Sequence, residues 1–145
     1  EVRVVGPHDA AVVAHPEFWG PHYVGGVPRS QVNREFLAAD VFVHPSLAEG
    51  QTIAHLEALA CGLPVIATRN AGSVVEDGEQ GYTVATRDAR ALADRIEAVV
   101  KDRGLRQRMS KAARAHAHQF TWGAYAERLR NALSGLDTSS SKACT

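Results

Sequence analysis

The stretch from residue 41 to residue 68 limits the fold more than any other part of the sequence. It begins with a short apolar run, Val41–Val43, and ends with a second one, Pro64–Thr68. Such runs are typical of parallel strands that are buried on both faces. Between them, apolar residues recur at helical spacing from about Gln51, and Gly62 is placed to end the helix. A strand, a helix and a strand in this order predict a parallel sheet.

The rest of the chain repeats this alternation. Further strands are predicted at Val2–Val5, His22–Gly25 and Gly81–Val84, and further helices begin near Ser30, Asp88, Leu105 and Thr121. Shorter helical pieces are predicted between Pro7 and Pro21 and at Gly72–Asp77. Alternating strands and helices predict an α/β, Rossmann-like domain with helices on both faces of a parallel sheet. We assign residues 1–134 to this domain and expect residues 135–145 to be a polar, disordered tail.

The composition argues against several classes of function. The 145 residues carry a formal net charge of zero, so nothing favours nucleic acid, and no apolar run reaches the length of a membrane span. The two cysteines, Cys61 and Cys144, are too few for a disulfide framework, so we expect a cytoplasmic protein. The seven histidines show no metal-ligand spacing, so we expect no metal.

The helix that begins near Gln51 has the features of an anion site. It follows the carboxyl end of a strand, where the first N–H groups and the helix dipole favour a phosphate. Glu57 shares helical spacing with Ile53 and Ala60, so we expect its carboxylate to be largely buried. A buried carboxylate needs hydrogen-bond donors, and a ribose diol offers two. Glu57 also lies about 9 Å along the axis from the helix start, roughly the span between a diphosphate and its ribose.

Motifs on both sides of this helix resemble those of one enzyme family. Glu49 and Glu57 have E-x7-E spacing within P-S-L-A-E-G…L-E-A-L-A-C-G-L-P. V-G-G-V-P-R-S and A-A-D-V-F-V-H-P-S precede this motif, and E-D-G-E-Q-G-Y-T-V and L-R-Q-R-M-S-K-A-A-R follow it. Found in this order over nearly the whole chain, they resemble the carboxy-terminal, donor-binding domain of retaining GT-B glycosyltransferases (family 4, or glycosyl transferases group 1).

The resemblance implies a nucleotide-diphospho-sugar as substrate, with no cofactor and no metal. Glu49 would be the catalytic residue, contacting hydroxyls of the donor sugar near the reaction centre, and Glu57 would bind the ribose. The other implied donor-binding residues are Gly50, Gln51, Thr52 and Ile53 at the helix start, and Val27 and Pro28 beside the base. For Val27 and Pro28 a plain turn is an equal alternative, and Glu49 can also serve to cap the helix.

The sequence departs from the family pattern at two places. Gly50-Gln51-Thr52 replaces the usual Gly-Phe-Gly, so Thr52 narrows the room beside the donor, and donor preference can differ. Ala71-Gly72-Ser73 replaces a Gly-Gly-x-x-Glu element and is two residues short. We therefore assign no donor-binding role to Glu76.

A strand that is entered almost at the first residue predicts a fragment of a longer chain. Matched to the family, the fragment lacks the first strand of the domain, the basic pair that grips the diphosphate, and the amino-terminal, acceptor-binding domain. The intact enzyme would be a hexosyltransferase with an unknown acceptor, and any membrane contact would be peripheral, through the missing domain. The alternatives are a GT-B sugar-nucleotide epimerase, a non-catalytic nucleotide-sugar-binding module, and a flavodoxin-like phosphorylation domain that lacks the usual acidic cluster.

The missing strand creates a structural problem, because it would be central in a sheet of this type. Unpaired backbone groups on interior strand edges cost on the order of 1–3 kcal/mol each when buried. We therefore expect Val2–Val5 to pair directly with Val41–Val43, or a strand of a neighbouring chain to fill the gap.

Overall fold

The computed structural model describes residues 1–7, 14–15, 22–50 and 52–137. These residues form the strands β1 (Val4–Val5), β2 (Tyr23–Gly25), β3 (Phe42–His44), β4 (Val65–Thr68) and β5 (Gly81–Val84). The helices are α1 (Arg29–Ala38), α2 (Ile53–Ala60), α3 (Ala89–Lys101), α4 (Arg103–Ala117) and α5 (Trp122–Asp137), with a 3-10 turn at His118–Phe120. All the strand pairs are parallel, which confirms the predicted α/β class. The chain divides into two compact units, Glu1–Ala38 and Ala39–Thr145.

The first unit is a two-stranded parallel sheet followed by α1. Val4 lies opposite Tyr23, whose hydroxyl donates to the Gly6 carbonyl at 2.7 Å. In α1, Phe36 is buried, whereas its neighbour Leu37 is 70% exposed. Adjacent helix residues point about 100° apart, and Phe36 takes the inward position.

The expected pairing of β1 with β3 is not present among the described residues. β1 forms its ladder with β2, and β3 forms its ladder with β4. β1 is two residues long and Val5 is 39% exposed. Shortness and exposure are typical of an edge strand, so the apolar run at Val2–Val5 overstated how much of this strand would be interior.

The second unit is built on a three-stranded parallel sheet in the order β3-β4-β5. The central strand, β4, is buried over its whole length, and Val65, Ile66 and Ala67 have no exposed surface. The uninterrupted apolar run in the sequence correctly predicted this strand, because a central strand covered on both faces needs apolar residues in both directions.

Helices cover both faces of this sheet. On one face, Val43 and Ile66 pack with Val99 of α3 and Met109 of α4. Phe42, the neighbour of Val43, instead makes an edge-to-face contact with the ring of His55 in α2. Because successive residues of a strand point to opposite faces, α2 and α3 lie on opposite sides of the sheet, as predicted.

Two helices begin close to the predicted residues Asp88 and Thr121, whose side chains cap them. The Asp88 carboxylate accepts from the Ala91 N–H at 2.9 Å, and the Thr121 hydroxyl accepts from the Ala124 N–H at 3.2 Å. α5 continues to Asp137, past the predicted end of the domain at residue 134. Its apolar side chains are exposed: Trp122, Tyr125, Leu129 and Leu133. Residues 138–145, and most of the piece between Pro7 and Pro21, lie outside the described residues.

The helical turn predicted at Gly72–Asp77 was wrong. The segment is not helical, and Asp77 forms a parallel bridge with Gly81. The Asp77 carboxylate accepts from the Thr83 N–H at 2.8 Å, and the Gln80 side-chain carbonyl accepts from the Glu76 N–H at 2.9 Å. Side chains that bond nearby backbone in this way offer the chain an alternative to a helix.

Gly81 allows a close backbone approach within the sheet. A Cβ atom at this position would lie 1.9 Å from the carbonyl oxygen of Val65 in the central strand. Gly78, in the preceding turn, has a φ of +87° but open space around the position of its missing Cβ. Gly81 therefore combines a close contact with a φ of +158°, whereas Gly78 has a positive φ without a close contact.

We predict that Gly81→Ala lowers the free energy of unfolding by about 3 kcal/mol or more, because the Val65 backbone cannot move without disturbing the sheet. Gly78→Ala, the control, should cost about 1–2 kcal/mol, the strain of its left-handed φ alone. Urea unfolding of the two variants measures the difference. Equal losses in both would show that the close approach to Val65 is not a constraint.

Candidate functional site

The helix α2 is the element on which most of the predicted site residues lie. It begins at Ile53, with Thr52 at the N-cap, rather than at Gln51. At its end, the Leu63 N–H donates to the Ala58 carbonyl and the Gly62 N–H donates to the Leu59 carbonyl, both at 2.9 Å. This is the Schellman pattern, with Gly62 at a φ of +78°. The predicted role of Gly62 as the helix stop is confirmed.

The prediction that the face of α2 with Ile53, Glu57 and Ala60 is the buried one was wrong. His55, Ala58 and Leu59 are buried, whereas Ile53 is 63% exposed and Glu57 is half-buried. The sequence could not give the phase, because apolar residues surround this helix on nearly all sides, and the buried face includes a polar histidine. Glu57 is consequently on the side that keeps contact with solvent. A carboxylate placed there can be reached by a ligand, which a fully buried one cannot.

The loop before α2 is fastened to the carboxyl end of β4 by hydrogen bonds. The Thr68 hydroxyl donates to the Ser46 carbonyl. The Glu49 N–H donates to the Asn70 carbonyl at 2.8 Å, and the Thr52 hydroxyl donates to the Ala71 carbonyl at 3.0 Å. The loop backbone is therefore held at the edge of the sheet where parallel strands end.

The bond from Thr52 has a consequence for the start of α2. A threonine at the N-cap usually accepts a hydrogen bond from the first turn, but Thr52 makes no such bond here, because its hydroxyl points to Ala71. The first N–H groups of α2 are thus left without a side-chain cap from Thr52. Uncapped N–H groups at the positive end of a helix are suited to an anion.

The structure brings part of the predicted site together. Glu49, Gly50, Thr52, Ile53 and Glu57 lie on one loop and helix at the carboxyl edge of the three-stranded sheet. Glu49 and Gly50 are exposed, and no hydrogen bond from the described residues engages the Glu49 carboxylate, so the structure does not support its alternative role as a helix cap.

The remaining predicted residues lie elsewhere. Gln51 lies outside the described residues. Val27 and Pro28 follow β2 in the first unit, where the Pro28 carbonyl accepts from the Gln31 N–H at 2.8 Å as α1 begins. Val27 is half-buried and Pro28 is exposed. A plain turn before a helix would make the same hydrogen bond.

Sequence reasoning missed a pair of histidines. His44 ends β3 and His55 lies in the first turn of α2, and their Nδ1 and Nε2 atoms are 3.0 Å apart. Burial, with a smaller contribution from His44, lowers the pKa of His55 to about 4. The other ring nitrogen of His55, Nδ1, is buried and has no hydrogen-bond partner among the described residues. The two residues are eleven positions apart, so no local spacing rule could have found the pair.

Sequence reasoning also passed over Arg69. This residue directly follows β4, and its neighbours Thr68, Asn70 and Ala71 hold the loop before α2. Its side chain is exposed, and among the described residues its guanidinium makes no ion pair. The position after a buried strand was the signal that could have identified it, because such positions face ligands in open parallel sheets.

The described part of the chain contains neither a cluster of metal-ligating side chains nor a helix that could cross a membrane. No group of three or more His, Cys, Asp or Glu side chains is arranged to hold a metal ion there. None of its helices combines the length and the apolar character that crossing a membrane requires.

Comparisons with known proteins agree on one family. The family described as glycosyl transferases group 1 matches residues 21–116. A D-inositol 3-phosphate glycosyltransferase of Corynebacterium diphtheriae is 40% identical over 106 residues, which are 72% of this chain and 25% of the relative. The chain thus spans about a quarter of the length of the curated relatives it matches.

Solved structures show the same fold. Sucrose-phosphate synthase from Thermosynechococcus elongatus matches 93% of this chain, and 38% of its own, with a TM-score of 0.77 and 27% identity. HepE from Anabaena, in complex with UDP, matches 92% of this chain and 41% of its own, with a TM-score of 0.76 and 22% identity.

The buried His55 predicts a pH-dependent stability. Its pKa of about 4 in the folded chain lies below the unfolded value of 6.5, so the unfolded chain binds this proton more tightly. Stability is then lost as the pH falls below about 6.5, and the free energy of unfolding should drop by about 2 kcal/mol between pH 7 and pH 5. Urea unfolding at several pH values measures this drop.

The variant His55→Leu should lose most of this pH dependence, because it has no proton to bind. His118→Gln is the matched control, since His118 is exposed. An unchanged pH dependence in His55→Leu would mean that another group causes the effect.

Proposed function

Because the chain belongs to the glycosyl transferases group 1 family, we propose that it binds a nucleotide-diphospho-sugar for a retaining glycosyltransferase. In this proposal the sugar passes to an acceptor with retention of its anomeric configuration. The observation that carries the proposal is the segment from Glu49 to Glu57, where two glutamates flank a helix start that Thr52 leaves uncapped.

The diphosphate of the donor would bind at the first turn of α2. The N–H groups there carry the positive end of the helix dipole, which favours an anion. Thr52 does not cap these N–H groups, because its hydroxyl donates to the Ala71 carbonyl instead. Arg69, exposed beyond the end of β4, can add positive charge at the same edge. This arrangement needs no metal, since the helix and the arginine supply the charge.

The ribose would bind to Glu57. This residue lies one helical turn beyond Ile53, about 6 Å further along the axis, so a nucleoside can extend from the helix start along the open side of α2. An ionised carboxylate accepts several hydrogen bonds, and the two ribose hydroxyls can donate to it. The half-buried state of Glu57 suits this role, because the ligand would cover a side chain that solvent still reaches.

Glu49 would contact the hydroxyls of the donor sugar. Its backbone is fixed by the bond to Asn70, while its carboxylate remains exposed. Because the backbone is fixed, the Glu49 carboxylate is restricted to one region beside the loop. A residue that positions the donor sugar requires such a restriction. Charge that develops on the leaving diphosphate would be stabilised by the start of α2, an electrostatic contribution.

The donor side of the site would also include Gly50, Gln51 and Ile53. The HepE structure contains UDP, which shows that this fold accommodates a uridine nucleotide in that protein. The enzyme we propose would be cytoplasmic, and an amino-terminal GT-B domain would hold its acceptor.

We predict that Glu57→Gln weakens binding of the donor nucleotide by about 1–3 kcal/mol, the range for hydrogen bonds to a charged group. Isothermal titration calorimetry with UDP-glucose, GDP-mannose and ADP-glucose measures the affinity. Glu79→Gln is the matched control, because Glu79 is exposed in the turn before β5, at the opposite edge of the sheet. If none of these three sugar nucleotides binds the wild-type chain, the proposed function is wrong.

We also predict that the 145-residue chain transfers no sugar at a useful rate, although it binds the donor. It matches about a quarter of the length of its relatives, so neither positioning of an acceptor nor exclusion of water is complete. A radiolabelled donor assay tests this. Transfer by the purified chain would show that the catalytic unit is smaller than we propose.

A further inference from the structure

The His44–His55 pair joins the two elements of the proposed donor site. His44 is the last residue of β3, directly before the loop that carries Glu49. His55 is in the first turn of α2, whose N–H groups would bind the diphosphate. The two ring nitrogens are 3.0 Å apart, and the rings meet edge to face with centroids 5.0 Å apart. The pair has no part in the function proposed above.

The chemistry of the hydrogen bond determines where an extra proton can reside. A bond between two imidazole nitrogens needs one N–H and one bare nitrogen, so the pair can accept one proton without losing the bond but cannot accept two. His55 has no exposed surface, and burial disfavours its charged form. The extra proton therefore goes to His44, whose Nδ1–H then donates to the bare Nε2 of His55. A bond from a charged donor is stronger than the neutral one.

The charge on His44 would lie near the anion. The ring of His44 contacts a residue of the first turn of α2, so a diphosphate at that turn is roughly 10 Å or less from the imidazolium. Histidine is the side chain that ordinarily changes its charge between pH 5 and pH 8. A neighbouring anion favours the protonated form, and by linkage the protonated form favours the anion.

We propose that His44 is a proton-dependent positioning residue for the anionic donor, held by neutral His55, so that the donor binds more tightly as the pH falls from 8 to 6. The proposal rests on the proposed function, because it requires a diphosphate at the start of α2. It adds a regulatory property to that site: the affinity for the donor follows the charge of one histidine.

Other charged groups lie on the elements packed around the pair. The strands β3 and β4 carry no further titratable side chain, and α2 carries Glu57 on its open side. On α4, Arg106 is paired with Asp40, Arg114 lies against Gly62 at the far end of α2, and the His116 ring is bonded to the Val74 carbonyl. The remaining charged residues of α4 are exposed: Arg103, Arg108 and Lys111. In the loop, the Glu49 side chain is exposed.

The test is calorimetric titration of the chain with UDP-glucose, GDP-mannose and ADP-glucose at pH 8, 7 and 6. These donors keep the charge of their diphosphate constant over this range, so a change of affinity reports on the protein. We expect binding to the wild-type chain to be about threefold to tenfold tighter at pH 6 than at pH 8. His44→Gln, which retains an amide as a hydrogen-bond partner for His55 but cannot become charged, should bind equally at all three pH values. His118→Gln, an exposed control, should behave as the wild type.

A second measurement on the wild-type chain makes the test independent of how well the variant folds. Titrations at pH 7 in PIPES and in imidazole buffers, which differ in ionisation enthalpy and contain no phosphate, report the protons taken up on binding. We expect uptake of a fraction of one proton by the wild-type chain. Donor binding without proton uptake, or a pH dependence that survives in His44→Gln, would overturn the role of His44 and leave the proposed function standing. Absence of donor binding at every pH would instead refute the proposed function.

Discussion

The proposed site depends on the hydrogen bonds that hold the loop before α2 to the carboxyl end of the central strand. β4 is buried along its full length, so its carboxyl end is a fixed point in the second unit. From that end, Thr68, Asn70 and Ala71 hold the backbone between Ser46 and Thr52 through hydrogen bonds. The last of these bonds also turns the Thr52 hydroxyl away from α2. A threonine at this place could have capped the helix and filled the anion site, and its bond to Ala71 is the reason that it does not.

The phase of α2 determines which of its side chains a ligand can reach. His55, Ala58 and Leu59 face the protein interior, and Glu57 is consequently left on the open side. A binding helix has to meet two demands, because one face must bury enough apolar surface to hold it and the other must remain accessible to a ligand. In α2 a histidine occupies the buried face, where its ring contacts Phe42 and bonds His44. The cost of burying that imidazole, visible in its lowered pKa, is tolerated at the point where the helix meets the end of β3.

The sequence was sufficient for features set by local chemistry. The uninterrupted apolar run gave β4, the Asp88 and Thr121 caps gave the starts of two helices, and Gly62 gave the end of α2. Motif order gave the family. The sequence was insufficient where tertiary contacts determine the structure. The buried face of α2 was ambiguous because the helix is apolar on nearly every side. The His44–His55 bond joins two elements that only the fold brings together. The helical turn at Gly72–Asp77 was overridden by side-chain bonds to the backbone, and β1 pairs with β2 rather than with β3.

The central claim is that the diphosphate of a sugar donor binds the first N–H groups of α2. Backbone amide NMR of the isotope-labelled chain, titrated with UDP-glucose, GDP-mannose and ADP-glucose in turn, tests this claim most directly. With the donor that binds, the account predicts that the largest shifts occur at the N–H groups of Ile53 and Ala54, with smaller shifts at Glu49 and Glu57. Saturable shifts confined to residues away from the loop and α2, with none at Ile53 or Ala54, would contradict it.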